Sequence, residues 1–241
     1  MNFKPTTVRV LFAIVAALIL PAMASAQKSG YVWANEPASA SYTPNPAYSF
    51  NSSGGAITIS RNGVGVYAVR FSGLGGGPAS GGNVLVTSYG NGSETCKVAN
   101  WGSSGVDFTA NVRCFTAAGT AADTTYAMRV IWNNPAFIKN GYAWADNPTS
   151  AGYTPNAMYS FNSSGGAIGI TRSGVGTYAV NFSGLGGNGP GGNVQVTAYG
   201  SDAATCKAAS WGFSADFTVN VRCFKSGGSP VDTQYSINIV R

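Results

Sequence analysis

Residues 172–187 read RSGVGTYAVNFSGLGG. Within them Tyr178, Val180 and Phe182 alternate with Thr177, Ala179 and Asn181, a period of two that puts the larger apolar side chains on one face of an extended strand. A strand apolar on one face and wet on the other belongs to an antiparallel sheet with a core on one side. The same phrase stands earlier in the chain, where residues 61–76 read RNGVGVYAVRFSGLGG. In both copies glycines bracket the strand, as turns do.

Working outward, the repetition takes in almost everything after the first thirty residues. Gly30-Tyr31-Val32-Trp33-Ala34 returns as Gly141-Tyr142-Ala143-Trp144-Ala145, and residues 49–57 return unchanged as 160–168. Gly82-Asn83-Val84-Leu85-Val86-Thr87 returns as Gly192-Asn193-Val194-Gln195-Val196-Thr197. Alternation recurs at Phe217, Val219, Val221 and Cys223, and again at Tyr235, Ile237 and Ile239. No stretch after the leader has helical periodicity. The expected fold is therefore all-β, two tandem antiparallel β-sandwich domains of jelly-roll or immunoglobulin-like type. The repeats are expected at about residues 28–132 and 141–241, joined by a linker over 133–140 (NNPAFIKN). Asn62-Gly63 predicts a type I′ turn between the strands on either side, with Ser173-Gly174 as its counterpart.

The chain opens MNFKPTTVRVLFAIVAALILPAMASAQ. Lys4 and Arg9, an apolar run from Val10 to Leu20, and Ala24-Ser25-Ala26 make a signal peptide over residues 1–26, cut before Gln27. Later residues contain no transmembrane segment by length and hydropathy. The protein is thus expected to be secreted or held at the cell surface, where four cysteines read as disulfides. Each repeat holds two, so Cys96–Cys114 and Cys206–Cys223 is the natural pairing. Without histidine or a C-x-x-C pair, no metal is expected. Without the leader's two cations, twelve Lys and Arg face eight Asp and Glu. They are scattered singly, which predicts no nucleic-acid partner.

The residue types present narrow the chemistry further. Lack of histidine removes Ser-His-Asp and Cys-His catalysis. The glycines match neither the dinucleotide nor the P-loop spacing, so no cofactor is expected. Asp107 and Asp123, repeated as Asp216 and Asp232, are the one candidate hydrolytic pair. Their positions at a strand start and in a turn read more simply as backbone-bonding aspartates, or as ion pairs with Arg113 or Arg222. Lys97 and Lys207, beside the first cysteine of each repeat, are expected on the wet face with ordinary basicity, which makes them poor partners for a Ser–Lys dyad.

Aromatic residues carry the remaining signal. Trp33 and Trp144 are expected to plug one end of each sandwich. Tyr89 and Tyr199 fall opposite the core valines of their strands, and Trp101 and Trp211 lie between the cysteines. These four are the candidate ligand-binding residues, since exposed rings among Asn and Asp can stack on a sugar. Two copies of a weak site would add avidity toward a repetitive polymer.

The string G-x-G-x-Y-x-V-x-F, G-G-N-V-x-V-T-x-Y-G, C-K, W-G, V-R-C-F resembles secreted bacterial tandem repeats of unassigned function, over nearly all of both units. A fainter similarity, through R-x-G-x-G-x-Y-x-V-x-F, is to C1q-like and phage-fibre jelly rolls, which implies a jelly-roll-like sandwich. The sequence alone therefore predicts a secreted, non-catalytic binding module for a glycan or cell-surface polymer. The alternative is a structural or adhesive protein that self-associates, and behind it a hydrolase using paired aspartates.

Overall fold

The structure is a computed structural model that describes Met1 and residues 28–76, 81–132, 139–188 and 192–241. The expected leader and most of the expected linker lie outside the described residues. No helix among the described residues is long and apolar enough to cross a membrane.

The first repeat runs β1 (Ser29–Ala34), β2 (Ser41–Tyr42), β3 (Ser49–Asn51), β4 (Ile57–Gly63), β5 (Val66–Phe71), β6 (Asn83–Ser88), β7 (Thr95–Ser104), β8 (Asp107–Phe115) and β9 (Tyr126–Ile131). The second runs β10 (Asn140–Ala145), β11 (Gly152–Tyr153), β12 (Ser160–Asn162), β13 (Ile168–Gly174), β14 (Thr177–Phe182), β15 (Asn193–Ala198), β16 (Thr205–Gly212), β17 (Phe217–Phe224) and β18 (Tyr235–Val240). Each repeat forms a four-stranded and a five-stranded antiparallel sheet, in the orders β3-β1-β9-β6 with β2-β4-β5-β8-β7 and β12-β10-β18-β15 with β11-β13-β14-β17-β16. The two sheets of each repeat close on one core, so the chain is two β-sandwich domains.

Alternation decides what fills each core. In domain 1 the five-stranded sheet contributes Ile59, Tyr67, Val69, Phe71, Phe108, Ala110 and Val112, all essentially buried, against Val32, Val84, Tyr126 and Val130 of the other sheet. Domain 2 repeats the arrangement with Tyr178, Val180, Phe182, Phe217, Val219 and Val221 facing Tyr235, Ile237 and Ile239. Each core is stapled as expected, by Cys96–Cys114 between β7 and β8 and by Cys206–Cys223 between β16 and β17.

The predicted hairpin turn is displaced. β4 continues through Asn62 and Gly63 with a bulge after Arg61, and the chain reverses at Val64-Gly65, where Gly65 has φ +64°. The second repeat turns at Val175-Gly176 rather than Ser173-Gly174. Asn-Gly is a good turn dipeptide, but the carboxylate of Asp123 decides the matter. It accepts from the Gly65 amide at 2.9 Å and pins the reversal two residues later. Asp232 holds Gly176 in the same way, also at 2.9 Å.

Candidate functional site

The four aspartates have structural partners within their sheets. Asp123 accepts from Arg61 Nε at 3.0 Å, Arg61 Nη2 at 2.7 Å and the Tyr67 hydroxyl at 2.9 Å, besides the Gly65 amide. Asp232 repeats this with Arg172, Tyr178 and Gly176. The guanidinium, working against partial burial, holds each carboxyl down at about 2. The same carboxylates, with burial as the larger cause, push the two tyrosine hydroxyls well above their ordinary range. Asp107 pairs with Arg70 and accepts from the Gly73 amide, while Asp216 accepts from the Gly184 amide and Asn181. The ion-pair partners are thus Arg61, Arg70 and Arg172, not Arg113 or Arg222. Asp107 begins β8, and the chain turns back after it, with the Ala122 amide donating to the Cys114 carbonyl, which sets Asp123 beside the far end of the strand. At ~3.3 Å per residue the six strand steps between them span about 20 Å, at least twice the spacing of a glycosidase pair. Asp107 and Asp123 do not form an acid–base pair, and the same strand geometry separates Asp216 from Asp232 across β17.

The aromatic residues do converge. Asn45 and Asn156 each cap a single 3-10 turn, accepting from the Ala47 and Met158 amides at 2.9 Å. That turn presents Tyr48 or Tyr159 beside the tryptophan of the neighbouring strand. In domain 1 the Trp33 ring lies 5.3 Å from Tyr48 and 5.4 Å from Tyr89. In domain 2 Trp144 lies 5.4 Å from Tyr159 and 5.1 Å from Tyr199. Each domain therefore carries a three-ring cage on the outer face of its four-stranded sheet. Trp33 and Trp144 are half-buried there and do not plug the ends of the sandwiches.

The two cages differ in occupancy. Trp101, from β7 of domain 1, enters the domain 2 cage with its ring 6.1 Å from Trp144, 5.8 Å from Tyr159 and 5.4 Å from Tyr199. Its indole N–H donates to the Gly81 carbonyl at 2.8 Å, and the Gly81 amide donates to the Met158 carbonyl across the interface. A Cβ on Gly81 would fall 1.8 Å from the Tyr159 ring, so only glycine permits this approach. Around the indole, the Gly200 amide donates to the Val98 carbonyl at 3.0 Å, in a single parallel bridge between Val98 and Tyr199. Asn83 donates to Ser236 Oγ at 2.7 Å, and Lys97 pairs with Asp202 at 2.6 Å.

The docking reverses one expectation. Lys97 is not on a wet face, since its side chain is 4% exposed against 65% for Asp202. Burial lowers its pKa, with Asp202 holding the charge in place. Lys207, its counterpart, is exposed as expected, its ammonium 5.6 Å over the Phe224 ring.

Domain 1 leaves its own cage open. Tyr31 is 48% exposed where its counterpart Tyr142 is 1% exposed. Ala127, Arg129 and Thr87 are exposed at positions where Ser236, Asn238 and Thr197 are buried. The open face forms a cleft of about 440 Å³ lined by Tyr31, Trp33, Tyr48, Leu85 and Arg129, with Gln195 of domain 2 also in its wall. Of the four candidate residues, Tyr89 and Trp211 are exposed, at 59% and 44%, while Trp101 and Tyr199 meet in the interdomain cluster. Tyr48 and Tyr159 were not among them. The signal for both is the repeated phrase YTPN, whose asparagine stands three residues before each tyrosine.

Comparison with protein-family models, curated proteins and solved structures finds no match to the chain.

Proposed function

We propose that the protein is a non-catalytic structural or adhesive component of the cell exterior that works by association, with the aromatic face of domain 1 as its working surface. One observation carries this reading. The counterpart of that face in domain 2 is a protein-docking surface, filled by Trp101 and its neighbours, and domain 1 holds the same cage assembled and open. The aspartates offered for hydrolysis are tied to arginines, amides and tyrosines, which supports a non-catalytic role. Two intradomain disulfides suit an oxidising exterior. Light scattering of the purified, disulfide-bonded chain over a hundredfold concentration range tests the reading. Mass should rise with concentration, and a constant single-chain mass would remove it.

Glycan recognition is the second reading, favoured by a separate observation. Tyr31 and Phe50 stack at 5.8 Å with 26° between their planes, both about half exposed, beside the same cleft. A pair of rings flanked by Arg129 suits the apolar face and hydroxyls of a sugar. Binding to a panel of glycans and wall polymers, abolished by Tyr31→Ala, would support it.

A further inference from the structure

The contact between the two domains has a direction. Domain 1 gives the edge formed by β6 and β7, and domain 2 receives it on the outer face of β10, β18 and β15. Because the domains are copies, each also carries the other half. Domain 2 has a giving edge in β15 and β16, and domain 1 has a receiving face in β1, β9 and β6. Both are exposed within one chain: Trp211 at 44%, Tyr48 at 56% and Tyr89 at 59%.

Resting on the reading of self-association, we infer that the occupant of the domain 1 face is the β16 edge of a second copy of this chain, with Trp211 entering the cage of Trp33, Tyr48 and Tyr89. Three features of the existing interface recur at the exposed surfaces. The cage is preformed, its ring separations within about 0.3 Å of those around Trp144. Gly90, which would donate to the Ala208 carbonyl as Gly200 does to Val98, holds φ +133° against +113° for Gly200. The third is a carboxylate for Lys207. Gly92 stands where Asp202 stands in domain 2, and a Cβ there would fall 1.9 Å from Glu94 Oε2. Glu94 thus fills the space of the missing aspartate with a carboxylate of its own.

The contact between chains is weaker than the one within a chain. Ala208 replaces Val98, Gln195 replaces Leu85, and Ala127 cannot accept from Asn193 as Ser236 accepts from Asn83. A contact between unlike surfaces closes into a ring or dimer if its rotation allows, and otherwise propagates as a filament.

Mass against concentration, for the disulfide-bonded chain and two variants, tests this. Trp211→Ala removes the giving side only, and Tyr48→Ala/Tyr89→Ala removes the receiving side only. All three positions are exposed, so each variant should fold. The expected result is that the parent chain associates and each variant alone stays a single chain. An equimolar mixture of the two should then give a two-chain complex and nothing larger, because one functional edge and one functional face remain. A charge exchange gives the same answer independently: Lys207→Glu and Glu94→Lys should each weaken association at least tenfold and restore it when mixed. If the parent chain associates but the variants do so equally, or the mixture restores nothing, this inference falls and self-association survives on another surface. A parent chain that stays single at every concentration removes both, including the case in which the edge closes on its own chain.

Discussion

Replacing Trp101 with alanine removes three ring contacts, at 5.4, 5.8 and 6.1 Å, and the indole bond to the Gly81 carbonyl. Aromatic pairs contribute about 0.5–1.5 kcal/mol each beyond area, and a neutral hydrogen bond about 1 kcal/mol. The indole is only half-buried, so the low end of each range applies, about 2 kcal/mol in all, and the lost apolar burial brings the loss to about 3 kcal/mol, the lower limit for a core tryptophan. Trp101 packs against the margin of the domain 1 core, but no fully buried core side chain is removed, so most of the loss falls on the interface. The Gly200 amide, bonded to Val98 across it, reports on the opening directly. At about 1.4 kcal/mol per decade its hydrogen exchange should accelerate by about a hundredfold in Trp101→Ala, provided that opening limits exchange. Amides of Val69 and Val180, deep in the two cores, should change little. In Trp211→Ala, measured below the concentration at which chains associate, Gly200 should exchange as in the parent. Equal acceleration in both variants, or less than threefold in Trp101→Ala, would refute the claim that the filled cage holds the domains together.

Other consequences are equally open to measurement. Asp202→Ala leaves Lys97 buried without its carboxylate and should cost about 2–3 kcal/mol in chemical denaturation, whereas Lys97→Met leaves only an exposed aspartate and should be neutral or slightly stabilising. Asp123 and Asp232 are held at about 2, below an unfolded carboxyl of about 3.9. Their contribution to stability is therefore full above about pH 4 and lost as pH falls toward 2, and thermal melts from pH 5 to pH 2 should show a decline that Asp123→Asn flattens. Removing the Cys206–Cys223 bridge by paired alanine substitution should lower the unfolding free energy of domain 2 by about 3 kcal/mol, with little effect on domain 1.

The fold could be read from strand alternation, because within a single repeat the period of two reports which face is buried. Phe217, Val219, Val221 and Cys223 sit in the core as that period requires. The period fails where burial comes from the other domain. Ser236, Asn238 and Thr197 occupy polar positions that read as wet, yet docking covers them. Lys97 was misplaced for the same reason, since nothing within its own repeat distinguishes it from the exposed Lys207. The aromatic candidates were visible as residue types, but their unequal roles follow from which copy gives and which receives. The ring residues are the same in both repeats, so the aromatic positions by themselves cannot show that asymmetry. The turn at Val64-Gly65 was hidden because Asp123, some sixty residues away, selects it.

Both edge strands carry a bulge at the same place, between Val98 and Asn100 in β7 and between Ala208 and Ser210 in β16. An unbroken edge would offer a row of amides and carbonyls on which a ladder could grow without limit. The bulge bends that row away after one bridge, and β7 makes a single bridge to Tyr199. Side chains must therefore supply what the backbone is prevented from supplying. A contact built on this edge is accordingly selective for shape and charge, and the edge is a poor template for cross-β growth in a chain whose regular structure is almost entirely strand.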